Sequence, residues 1–117
     1  MSAAPDRDCL FCKIIAGELS SQQLYDDERV LAFKDVRPQA PFHALIVPKA
    51  HVATLDDFAT EDASLLGHIL LTAKRLAAEA GLPGYRVAMN VQHAGGQVIF
   101  HAHLHVLGGR PLTGALG

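Results

Sequence analysis

The stretch His101-Ala102-His103-Leu104-His105-Val106-Leu107-Gly108-Gly109 decides the fold. Histidine alternates in it with apolar residues. Along an extended strand, side chains return to the same face at every second position. His101, His103 and His105 therefore share one face, roughly 6.5 Å from ring to ring along the chain. Ala102, Leu104 and Val106 turn to the other face and into a core. A helix would scatter the rings around its circumference, so the pattern predicts a strand.

Upstream, Gln92 to Ile99 reads as a glycine-bearing loop and Tyr85 to Val91 as a further strand with Asn90 near its end. Before these lies the one strong helical pattern, Glu61 to Ala80. Thr60 is placed to cap it, and Glu61 and Asp62 suit the positive end of its dipole. Gly81 is placed to stop it. Leu65, Leu66, Ile69, Leu70, Ala73, Leu76 and Ala77 form its apolar face, with Leu71 off centre. A stripe this wide serves either one thick core or a core plus a second subunit. His43 to Val47 is a nearly all-apolar central strand ended by Pro48. Gln22 to Asp26 and Arg29 to Val36 form a hairpin in which Leu31 and Phe33 share a face. Cys9 to Glu18 fits a short helix with Leu10, Ile14 and Phe11 inward. Met1 to Asp8 reads as a loose tail, and 9–117 as a single domain. Strands separated without βαβ spacing predict an α+β fold with an antiparallel sheet, one long helix and one short one.

The chain has 117 residues and a net charge of -2. No basic stripe suits nucleic acid, and no apolar run is long enough to cross a membrane. The N-terminus lacks a signal-peptide core, which points to the cytoplasm. Two cysteines, Cys9 and Cys12, stand close together. In a reducing compartment that spacing fits metal ligands or a redox pair, and two small buried side chains are the bland alternative.

A histidine row supports phosphoryl chemistry. A neutral ring can attack phosphorus, and a protonated neighbour can meet charge on phosphate oxygens. Mutual repulsion should keep the row from charging fully. His103, with a titratable neighbour on each side, is the natural nucleophile. Gly95-Gly96-Gln97 lets backbone N–H groups approach an anion, and Gln97 and Asn90 add uncharged donors. Spacing alone serves a zinc site as well as a nucleophile, and solvent-facing histidines without a role are a third reading. His68 and His93 read as a helix-face and a loop histidine without a catalytic part.

The row fits His-φ-His-φ-His-φ-φ, with φ apolar, and so resembles the histidine triad (HIT) nucleotide hydrolases and transferases. Phe33-Lys34-Asp35-Val36-Arg37-Pro38-Gln39-Ala40-Pro41, His43, and Ile46-Val47-Pro48-Lys49-Ala50-His51 are similar to the Hint branch. So are Ser64 to His68, Gly84-Tyr85-Arg86, Asn90, Gly95-Gly96-Gln97 and Leu107 to Arg110. The resemblance runs from Cys9 to Arg110. It implies a HIT-like fold: a five-stranded antiparallel sheet per subunit, joined in a homodimer as a ten-stranded sheet. It also implies hydrolysis of purine nucleoside 5′-phosphoramidates through a nucleotidyl intermediate on His103. His105 would contact the phosphate, and His43 would support the triad that His101 begins. Asp35 would hold the ribose hydroxyls. Asn90, Gln97 and the backbone of Gly96 and Val98 would hold the phosphate side. Leu10, Phe11, Ile14, Phe33 and Val36 would line the base pocket, although plain core explains any single one nearly as well. Val98 departs from members that carry a serine there to help the leaving group.

The Cys9-x-x-Cys12 pair resembles the zinc-bearing members, which implies Cys9, Cys12, His51 and His101 as ligands. Two thiolates and two imidazoles make a closed, structural site. No catalytic metal or organic cofactor is expected. Two alternatives stay open. One is a HIT enzyme acting on dinucleoside polyphosphates or transferring a nucleotidyl group, which the Gly108-Gly109-Arg110 ending disfavours. The other is a nucleotide-binding regulatory protein.

Overall fold

A computed structural model describes Asp6 and residues 8–114. The expected tail over residues 1–8 therefore lies outside the described residues, apart from Asp6 and Asp8. Helix α1 spans Leu10–Ile15, and the strands are β1 Gln23–Asp26, β2 Val30–Lys34, β3 Phe42–Pro48, β4 Tyr85–Ala88 and β5 Leu104–Gly108. Helix α2 spans Ala63–Glu79, between β3 and β4. The five strands form one sheet in the order β1-β2-β3-β5-β4, and every neighbouring pair is antiparallel. No helix among the described residues is long and apolar enough to cross a membrane.

β3 is the centre, and it is apolar because both its faces are covered. Val30, Ala32, Ala44, Ile46, Leu104 and Val106 pack beneath Ile69, Ala73 and Leu76 of α2. Leu31, Phe33, Leu45 and Val47 point the other way, against Cys9, Phe11, Cys12 and Ile14. The period of two thus divides the sheet into an α2 face and an α1 face. Register then places the chemistry. His105 lies opposite Leu45, and His43 opposite Leu107. All four are odd-numbered neighbours on the α1 face, so His43 and His105 meet diagonally across the ladder.

The histidine row is not strand throughout: β5 begins at Leu104, leaving His101 and His103 before it. Continuing the register would set Pro48 opposite Ala102, and proline has no N–H for the ladder. The Ala102 N–H donates instead to the Val52 carbonyl at 2.7 Å. The alternation survives, because Ala102, Leu104 and Val106 remain buried. β4 likewise ends at Ala88, short of Asn90.

Thr60 does not cap α2. It opens a 3₁₀ turn, Thr60–Asp62, and Asp62 occupies the cap position. The Asp62 carboxylate accepts the Ala59 N–H at 2.8 Å. Gly81, at φ +69°, ends the helix as expected. The inner face is narrower than the stripe: Leu70 is 52% exposed. Thr72 is buried, its hydroxyl donating to the His68 carbonyl at 2.7 Å.

Candidate active site

A cavity of about 570 Å³ opens on the α1 face of the sheet. Leu10, Phe11 and Ile14 of α1 form one wall, with Phe33 and Val36 beside them. Asp35, His43, His103 and His105 form the floor, and Asn90, Gly96 and Val98 border it from the loop after β4. The sequence reading thus assembles, with two exceptions. His101 is turned away into a second cluster, and Gln97 is absent from the lining.

Backbone groups decide which nitrogen of each ring carries hydrogen. A carbonyl can only accept, so His103 Nδ1 donates to the His101 carbonyl at 2.7 Å. Its Nε2 keeps the lone pair. The Gln39 N–H can only donate, and it does so to His43 Nδ1 at 3.0 Å. His43 therefore carries its hydrogen on Nε2, which stands 2.9 Å from His105 Nδ1 and 3.5 Å from Asp35 Oδ2. His105 accepts at Nδ1 and presents Nε2–H. Asp35, His43 and His105 also lie close enough to hold a metal ion. The hydrogen on His43 Nε2 makes a relay of His43 and His105 instead, with the Asp35 carboxylate beside it at 3.5 Å.

Burial sets the charge of these rings. It lowers His103 below the ordinary imidazole range, against the pull of the His101 carbonyl. Burial lowers His43 as well, opposed by Asp35. His105 is pushed down to about 4, by burial first and then by His103 and His43. The row is thus neutral near pH 7 chiefly because it is buried, not because the rings repel. Lys34 and Arg37 carry the permanent positive charges among the residues lining the cavity. The sequence singles out neither for the site, although both stand within two residues of Asp35.

Gln97 is buried, and its amide is spent on the loop. Nε2 donates to the Ala53 carbonyl at 2.7 Å and the Ile99 carbonyl at 3.1 Å. Oε1 accepts the Gln92 N–H at 2.9 Å. The side chain therefore holds in place the turn that presents Gly96, at φ +89°, to the cavity.

The second cluster brings together Cys9, Cys12, His51 and His101, whose donor atoms all lie within 4.8 Å of one another. His101 Nδ1 is 3.3 Å from Cys9 Sγ, 3.6 Å from Cys12 Sγ and 3.2 Å from His51 Nδ1. His51 Nδ1 is 3.2 Å from Cys12 Sγ. Around a tetrahedral zinc ion, nitrogen–nitrogen edges are about 3.3 Å and sulfur–nitrogen edges about 3.6 Å. The outer bonds fit too. His101 Nε2 donates to the Pro48 carbonyl at 2.8 Å, which leaves Nδ1 with its lone pair facing the set. Backbone N–H groups of Cys12 and Asp6 point at Cys9 Sγ and Cys12 Sγ, at 3.3 and 3.5 Å. Burial pushes the Cys9 thiol up to about 11. Only a cation in the set would make thiolate the favoured form there.

A family profile of the HIT domain matches residues 16–112. A protein of Escherichia coli K12 named purine nucleoside phosphoramidase is 42% identical over 107 residues, 90% of each chain. The crystal structure of a HIT family hydrolase from Legionella pneumophila superposes with a TM-score of 0.88 at 51% identity, covering 91% of this chain and 96% of that one. A zinc-bound histidine triad family protein from Mycobacterium smegmatis superposes with a TM-score of 0.78 at 33% identity, covering 88% of this chain and 76% of that one.

Proposed function

The chain belongs to the HIT domain family, and from that premise we propose that it hydrolyses purine nucleoside 5′-phosphoramidates to the nucleoside monophosphate and an amine. One observation carries the reading: the bond from His103 Nδ1 to the His101 carbonyl leaves a lone pair on Nε2 at the floor of the cavity. That nitrogen attacks phosphorus. The Nε2–P bond forms as the P–N bond breaks, and the amine leaves with a proton taken from solvent at the mouth. Water oxygen then bonds phosphorus, the Nε2–P bond breaks, and one water proton is released. His105 Nε2–H donates to a phosphate oxygen in both steps. Asp35 Oδ1 accepts the Arg37 N–H at 2.9 Å. The carboxylate retains lone pairs for two ribose hydroxyls. Asn90 and the backbone of Gly96 and Val98 face the phosphate, and the α1 wall takes the base. Gln97 acts through the loop it holds.

Zinc on Cys9, Cys12, His51 and His101 belongs to the same reading, and when bound it supplies a cross-link between α1 and the sheet. So does a homodimer, since β4 is an edge strand and Leu70, Leu71, Tyr85 and Val87 are exposed on it and on α2. Light scattering at the mass of two chains would bear out the dimer.

Release of monophosphate from adenosine 5′-phosphoramidate tests the function, with diadenosine tetraphosphate in parallel and His103→Ala as control. Turnover of the phosphoramidate, lost in the variant while nucleotide still binds, is the expected result. Preference for the tetraphosphate would overturn it, as would nucleotide binding without turnover of either.

A further inference from the structure

Helix α1 has two tasks within six residues. Cys9, its N-cap, and Cys12 give their sulfurs to the donor set. Between and beside them, Leu10, Phe11 and Ile14 form the apolar wall of the cavity. Phe11 is 2% exposed. Its ring meets Phe33 edge-on at 5.6 Å and His103 at 5.0 Å between centroids. A helix this short does not hold its shape alone. The other two donors, His51 and His101, stand just beyond β3 and just before β5. An ion in the set therefore ties both flanks of Phe11 to the sheet. The groups on the phosphate side are held differently: His105 by β5 and His43, and the loop bearing Gly96 by Gln97.

We propose that Cys9 and Cys12, through a zinc ion shared with His51 and His101, are positioning residues for the nucleotide base, so that zinc occupancy sets affinity for the base and leaves affinity for the phosphate unchanged. The inference rests on the reading of the cavity as a purine nucleotide site. Aromatic contact with a base is worth enough that losing it weakens binding about tenfold or more.

Calorimetry with two probes, adenosine 5′-monophosphate and ribose 5-phosphate, tests it on zinc-loaded and chelator-stripped protein. Stripping should weaken the nucleotide about tenfold and ribose 5-phosphate less than about twofold. Added zinc should restore wild type and not Cys12→Ser. Linkage gives a second test that begins from loaded, folded protein. Adenosine 5′-monophosphate must tighten zinc binding, measured by competition with a chelator, by the same factor, and ribose 5-phosphate must not. Equal effects of both probes would overturn the proposal by showing that zinc acts on the whole fold or through His101. No effect of either would overturn it by uncoupling the two sites. If zinc-loaded protein binds the nucleotide no more tightly than ribose 5-phosphate, the base reading itself fails, and the coupling falls with it.

Discussion

Acidification puts a second hydrogen on His105, and the register leaves that hydrogen no acceptor. His105 Nδ1 faces His43 Nε2 at 2.9 Å. His43 Nε2 already carries hydrogen, because Gln39 N–H occupies Nδ1. Burial, then His103 and His43, hold His105 down to about 4. In the unfolded chain the ring returns to about 6.5. The folded value is the lower one, so the proton favours the unfolded state. The contribution of His105 is intact above the unfolded value and is lost as pH falls from about 6.5 toward 4. From about pH 7.5 to 5.5 the loss for a fully buried ring is about 1.3 kcal/mol. Solvent at the cavity screens part of it, and we expect about 1 kcal/mol. His43 shifts in the same direction, so the effect needs isolating. His105→Asn keeps an acceptor oxygen for His43 Nε2–H and removes the titrating ring. Urea unfolding of both proteins at both pH values should show wild type losing about 1 kcal/mol more than the variant. Parallel losses would refute the relay and the tautomers assigned to it.

Gly109 has φ +96°, and a Cβ there would stand 2.9 Å from Pro41 Cβ and 3.3 Å from Phe42 N. Gly109→Ala should cost at least about 1–2 kcal/mol in chemical denaturation. Gly67 is helical, with nothing within 4 Å of a Cβ, so Gly67→Ala should gain up to about 1 kcal/mol. Gln97→Ala strands the Ala53 and Ile99 carbonyls and the Gln92 N–H. A loss of about 2–3 kcal/mol and a raised KM for the phosphoramidate are expected. Val98 is 86% exposed, so Val98→Ser should leave stability within about 0.5 kcal/mol. It should speed turnover of phosphoramidates with poorly leaving amines more than of those with good ones.

Much of this architecture is legible in the chain because period-two patterns report faces. The alternation from His101 to Val106 separates the α1 face from the α2 face, and the apolar run from His43 to Val47 marks a strand covered on both. Pairing is less legible. His43 and His105 are 62 residues apart, and only the β3–β5 register makes them touch. The stripe on α2 is misleading for a related reason. Periodicity counts apolar residues without knowing how much of the helix the sheet covers, so Leu70 counts as core and is exposed.

The tautomers are illegible for a deeper reason. They are set by Gln39 N–H and by the carbonyls of His101 and Pro48, and every residue offers a carbonyl and every residue but proline an N–H. Gln97 shows the converse, a side chain whose chemistry suits an anion and whose position spends it on the backbone. Repulsion alone would leave one ring of the row charged and ready to meet phosphate. Burial lowers His43, His103 and His105 together, so all three are neutral. In the proposed reaction His103 can then attack without first losing a proton. On that reading the charge on the phosphate is met by N–H dipoles, the His105 Nε2–H among them. His105→Ala should therefore weaken monophosphate binding while leaving nucleoside binding unchanged, a difference that equilibrium titration with the two ligands would read directly.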